Sequence, residues 1–193
     1  MCTGRSAEAV AKKVLLSLGL VLVLTEASTA SDVRGGSRAN LAIKIPNTSR
    51  ELVMARFDLR LKEETESPDG AARVMIFADK AGRTECRVAM KPSDEGIDAA
   101  QLRQHRLDRI RSVSPEIRDV VIREREGLHL LEFLSEARGA PRSKYVLAFL
   151  QVDSVAIEVR LASRDYLKSD QKRLNAFVNS IRVVPEQMSG EGR

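Results

Sequence analysis

The chain has 193 residues, and its 32 Lys and Arg against 27 Asp and Glu give a formal charge of +5. So small an excess, spread over both signs, describes a soluble, weakly basic surface and nothing more. Aromatic residues make up 4% and tryptophan is absent, which argues against the stacked-ring platforms that hold sugars or single-stranded nucleic acid, so no nucleic-acid partner is expected.

Met1 to Lys13 carries Arg5, Lys12 and Lys13 against Glu8, and Val14 to Leu24 follows as eleven residues without a charge. At 1.5 Å per residue that run crosses only about half of a ~30 Å hydrocarbon core, too little for a stable transmembrane anchor. It has the length of a signal-peptide core, and Ser28-Thr29-Ala30 supplies the small residues of a cleavage site. Residues 1–30 are therefore expected to be a cleavable signal peptide, with the cut before Ser31 and the remainder periplasmic or secreted. Cys2 leaves with the leader, and it precedes the apolar run, so it is no lipobox cysteine. Cys86 alone remains, so the mature chain has no internal disulfide and stands on its core, which domains of about 150 residues can do. Removing the leader takes away three bases and two acids and leaves a charge of +4.

Ser31 to Arg38 (S-D-V-R-G-G-S-R) reads as a flexible leader. Residues 39–184 read as one domain, and 185–193 as a polar tail. Leu41, Ile43 and Ile45 alternate until Pro46 stops the strand. Val53, Ala55, Phe57, Leu59 and Leu61 alternate with Met54, Arg56, Asp58, Arg60 and Lys62, the pattern of one strand with a wet face. Glu63 to Gly70 is expected to be an acidic loop. Val74–Ala78 and Thr84–Met90 pair across a turn containing Gly82. Asp98 and Gln101 then resemble a capping box, and Ala99, Leu102, Leu107, Ile110 and Val113 gather on one side of a helix that Pro115 closes. Four strands follow: Ile117–Ile122, Leu128–Leu134, Tyr145–Val152 and Val155–Leu161. Glu126-Gly127 turns the first pair and Asp153-Ser154 the last. Leu167, Leu174, Phe177, Val178 and Ile181 stripe a C-terminal helix.

The order is four strands, a helix, four strands, a helix, with short turns that force antiparallel pairing. Tyr145–Val152, apolar on both faces, reads as a central strand covered on each side. The expected class is α+β, an antiparallel sheet sandwiched between helices.

E-R-E-G-L-H-L-L-E-F (124–133), K-Y-V-L-A-F-L-Q-V-D-S-V-A-I-E-V-R-L-A-S (144–163) and L-N-A-F-V-N-S-I (174–181) resemble the second half of PsbP-like domains. Leu41-Ala-Ile-Lys-Ile-Pro46 resembles their opening. The superfamily includes a thylakoid-lumen photosystem subunit and bacterial periplasmic proteins of the DcrB type. The resemblance implies an α/β/α sandwich and a non-enzymatic binding or assembly module, with no catalytic residue to carry over.

The residues themselves offer little chemistry. Cys86 alternates with Val88 and Met90, where a buried thiol is inert; an exposed one could pair with another chain or act with a histidine. His105 lies on the first helix and His129 on a strand, with no third orienting group, no nucleophile elbow and no HExxH. No enzyme activity, metal or cofactor is expected. Glu63, Glu64, Glu66 and Asp69 lack the ligand spacing of a calcium loop. Asn47-Thr48-Ser49 matches a glycosylation acceptor, relevant only to a eukaryotic secretory route.

The first helix holds more interest. Arg103, Arg106, Arg109 and Arg111 stand with His105 against one acid, Asp108. Arg103 and Arg106 fall within the apolar arc, so they either reach to the rim or meet a carboxylate. The four arginines are the candidate binding strip for an envelope protein or an anionic surface. The leading expectation is an exported, non-catalytic binding or assembly module of the cell envelope. The alternative is a carrier of a small ligand or lipid, with a pocket between sheet and helix.

Overall fold

The computed structural model describes residues 40–93, 96–114, 116–136 and 141–186, with the backbone of 33–34. The expected signal peptide, most of the leader and the tail beyond Glu186 lie outside the described residues.

Residues of alternating polarity form strands here because one side of each meets a core and the other does not. Seven strands make the larger sheet: β4 (Arg60–Glu66), β5 (Arg73–Ala78), β6 (Thr84–Pro92), β7 (Ile117–Arg125), β8 (Leu128–Ser135), β9 (Ser143–Val152) and β10 (Val155–Arg164). Their spatial order is β4-β5-β6-β10-β9-β8-β7, and every neighbouring pair is antiparallel. A smaller antiparallel sheet has the order β1-β2-β3-β11, from β1 (Val33–Arg34), β2 (Asn40–Lys44), β3 (Arg50–Ala55) and β11 (Arg182–Pro185). Helix α1 spans Ala99–Val113, and α2 spans Gln171–Ser180 after a short turn of 3₁₀ helix.

The two faces of the large sheet are covered differently. On one, Met75, Phe77, Cys86, Val88, Val146, Ala148, Val159 and Leu161 pack against Leu41, Ile43, Leu52 and Met54 of the small sheet and against Leu174, Phe177 and Val178 of α2. On the other, Leu131, Phe133, Leu147 and Phe149 meet Ala99 and Leu107 of α1, with Leu102, Ile110 and Tyr145 at the margin. Helix α1 lies on β8 and β9. The fold is thus the expected α+β class, with β9 between the two helices.

Three features depart from the sequence reading. The strand expected over Val53–Lys62 is two strands in different sheets, because Phe57 takes a φ of +46° and turns the chain from β3 into β4. That conformation is costly for a bulky side chain. Its ring is held 6.1 Å from that of Phe177, with the Arg173 guanidinium 5.1 Å from its centroid. The expected acidic loop is shorter than 63–70, since Glu63, Glu64 and Glu66 belong to β4. Glu64 pairs with the buried Arg73 of β5, and Asp69 caps the turn beyond, accepting from Ser67 Oγ at 2.5 Å and the Ala71 N–H at 3.0 Å. Those donors hold the Asp69 carboxyl below its ordinary pKa. Finally, β11 follows α2 and pairs with β3, Arg182 opposite Val53 and Pro185 opposite Arg50, so the chain past Ile181 closes the small sheet.

Turns elsewhere follow their residues. Glu126 and Gly127 both have positive φ, +50° and +77°, as a tight hairpin between right-twisted strands requires. Asp79 accepts from the N–H groups of Arg83 and Thr84, each at 3.0 Å, and so fixes the β5–β6 hairpin.

Candidate functional site

Helix α1 is built to lie on a surface rather than inside one. Its N-terminus is held by the capping box read from the sequence: Asp98 Oδ1 accepts from the Gln101 N–H at 2.8 Å, and Gln101 Oε1 accepts from the Asp98 N–H at 2.9 Å. Only Ala99 and Leu107 are buried, so the helix touches the sheet along a narrow seam and stands over part of it.

Beside that seam is a groove of about 420 Å³ between α1 and the strands β5, β6, β10 and β9. The ladder register explains its floor. Val74 lies opposite Ala89, Ala89 opposite Glu158, and Glu158 opposite Phe149, so these four side chains form one row across the sheet. Glu158 is held by α1: Arg106 donates to it from Nε at 3.1 Å and from a terminal nitrogen at 2.6 Å and 2.5 Å. The remainder of the row is apolar, and Leu102 of the helix adds to it. The next row runs Ile76, Arg87, Arg160, Leu147. Arg160 donates to Glu85 at 2.9 Å, whereas Arg87 has no hydrogen bond or ion pair among the described residues. Arg87, His105 and Arg109 line the groove with Lys91. Among the described residues the only carboxylate in the lining is Glu158, which Arg106 occupies.

The four arginines of the candidate strip therefore separate. Arg106 meets a carboxylate, one of the two fates open to an arginine in the apolar arc. Arg103 is half-buried and its Nε has no hydrogen-bond partner. Arg109 is exposed on the groove wall. Arg111, also exposed, sits in the last helical turn, where a cation complements the helix dipole. Sequence reasoning missed Arg87 as a site residue, although alternation with Cys86 and Val88 already turned it away from the core. It also missed Glu158, 52 residues from its partner.

Cys86 and the histidines do not meet. Cys86 is buried in the core beneath the small sheet and α2, and burial pushes its thiol up to about 12. His129 lies opposite Phe149 on the α1 side of the sheet, with Nδ1 3.5 Å from Glu124. The sheet itself separates thiol from imidazole. Among the described residues no three His, Cys, Asp or Glu side chains converge as metal ligands. A second charged cluster, Glu132 with Arg123 and Lys144, bridges β7, β8 and β9; desolvation lowers the Lys144 amine below its ordinary pKa.

No family model matches the sequence, and no curated protein sequence matches it either. The fold does have solved counterparts. The solution structure of cyanobacterial PsbP (CyanoP) from Synechocystis superposes with a TM-score of 0.50 at 11% identity, covering 78% of this chain and 95% of that one. The fold is PsbP-like. A mutant form of Mog1 aligns at 0.49 and 8% identity over 78% of this chain and 97% of its own. The Ran-binding protein Mog1p of Saccharomyces cerevisiae aligns at 0.41 and 8% identity over 66% and 96%. On the PsbP-like frame of this chain, the groove and the outer side of α1 lie on the face of the large sheet opposite the small sheet.

Proposed function

We propose that this chain is an exported, non-catalytic binding module of the cell envelope, akin to periplasmic DcrB-type proteins, whose working surface is the α1 groove and its basic rim. The observation that carries the reading is the imbalance in that groove: an apolar floor with Arg87, His105 and Arg109 around it and its one carboxylate already taken by Arg106. Arg87, half-buried, and Arg109, exposed, have no acid partner among the described residues, and such a surface gains from an acidic partner. The leader of residues 1–30 supports release into the periplasm or medium, and no described helix is long and apolar enough to cross a membrane. The groove's volume also favours the second reading, a carrier of a small ligand or lipid, because it falls within the ~300–1,000 Å³ of small-molecule sites.

The test is a cross-linked capture from envelope extract with the natural chain beside Arg103→Glu/Arg109→Glu/Arg111→Glu. Arg106 is left in place because its loss strands Glu158. A partner held by the natural chain and released by the variant is the expected result. Identical captures, or none from either, count against the reading.

A further inference from the structure

We infer that the α1 groove is the seat of a long-chain fatty acid, its carboxylate on the rim arginines and its acyl chain along the row Val74–Ala89–Phe149. The inference rests on the reading of this groove as the working surface, and it names the occupant.

Three observations select that chemistry. The first is size. A helix is about 10–12 Å across and 5.4 Å per turn, so roughly one turn would fill the space, which measures about 420 Å³; a single acyl chain is the better match. The second is what the floor offers. It is the face of a sheet whose backbone groups are committed to the β5-β6-β10-β9 ladder. An extended peptide laid there would leave its own N–H and C=O groups without partners, whereas an acyl chain has none to satisfy. The row crosses four strands, three spacings of about 4.8 Å or roughly 14 Å, and apart from Glu158 its side chains are apolar. Glu158 within the row is satisfied by Arg106 of α1 and so leaves no free carboxylate there to repel an anion.

The third observation is charge. Glu85 holds Arg160 and Glu158 holds Arg106, but Arg87 of the same face has no carboxylate among the described residues. A half-buried, unpaired guanidinium beside an apolar floor, with Arg109 and His105 on the facing helix, presents the fork that a carboxylate accepts through two parallel hydrogen bonds. An apolar body with one anionic end matches this arrangement, and a neutral lipid does not.

The full-length gene product, purified as cells produce it, is titrated with a dansyl-labelled long-chain fatty acid and then competed with oleate or methyl oleate. Native mass spectrometry counts the bound molecules. Saturable binding of one per chain is expected, with the methyl ester competing at least about tenfold less well than the acid. Arg87→Gln, a polar change at a half-buried position, weakens binding about tenfold. Ala89→Phe fills the floor and abolishes binding while the thermal transition is retained. No saturable binding, equal competition by acid and ester, or an Arg87→Gln variant that binds as well as the natural chain each overturns the inference. If no fatty acid binds but Ala89→Phe abolishes capture of an envelope partner, the groove remains the working surface and only the lipid assignment falls. If Ala89→Phe changes neither, both fall.

Discussion

The two faces of the seven-stranded sheet are made from the same strands and finished in opposite ways. Beneath the small sheet and α2, residues from eight strands and a helix close over one another, and Phe77, Phe177, Ile43 and Leu52 have essentially no exposed surface. Beneath α1, only two helix residues are buried, and the sheet beside them carries a ladder of ion pairs and an open trough. The first face concentrates the hydrophobic stabilisation, which scales with apolar area removed from water. The second gives up part of that area and keeps charged groups half-buried. The stabilisation of the domain thus rests mainly on one face, and the other is left partly open.

Substitutions that weigh the faces against each other test this division. Phe177→Ala removes a fully buried ring from the closed face together with its contact with Phe57. The expected loss is roughly 3–5 kcal/mol, read from urea unfolding; an unchanged midpoint would mean that α2 does not hold the core. Leu107→Ala, the main anchor of α1, is expected to cost less, about 2 kcal/mol, because α1 has few other contacts to lose. A loss as large as that of Phe177→Ala would make the α1 face structural rather than free. Smaller again is Arg106→Ala. Its side chain is 30% exposed and that of Glu158 17%, so solvent screens the pair and about 1 kcal/mol is expected, with altered binding in the groove as the larger consequence.

The smallest effect at neutral pH belongs to Cys86. Its thiol should resist alkylating reagents in the folded chain and react only on unfolding. Because folding raises its pKa from 9.0 to about 12, the folded state holds the proton longer than the unfolded one. Its contribution to stability is therefore complete below pH 9 and declines as the pH climbs toward 12. Cys86→Ala should flatten that decline in urea titrations, and rapid labelling of the native protein at pH 8 would place the thiol outside the core.

Much of the closed face was legible from sequence alone. Alternation fixed β5, β6, β8 and β10, the doubly apolar run of Tyr145–Val152 placed β9 between helices, and Asp98 with Gln101 marked the start of α1. What escaped notice depended on partners far along the chain. Apolar alternation continues unbroken through Phe57, so nothing local shows that the residue turns between sheets; the stabilising contacts come from Phe177 and Arg173. The acids of β4 read as a loop because charges at a sheet edge look like solvated turn residues. Of the candidate strip, the arginines on α1 were visible, but Glu158 and Arg87 join them only once the sheet is assembled. The groove exists between elements, and no stretch of sequence contains it.

The pairing of β11 with β3 brings residues 182–185 back against residues 50–53, and the ring on which the Phe57 hinge rests belongs to α2, just upstream. The small sheet thus has its last strand, and the hinge its latch, only when residues 171–185 have emerged. Closure of so long a loop is entropically late. For a chain that we propose is threaded across a membrane, this timing is useful: the nascent polymer lacks the means to lock prematurely, and the arrival of residues 182–185 serves as the signal that folding can finish.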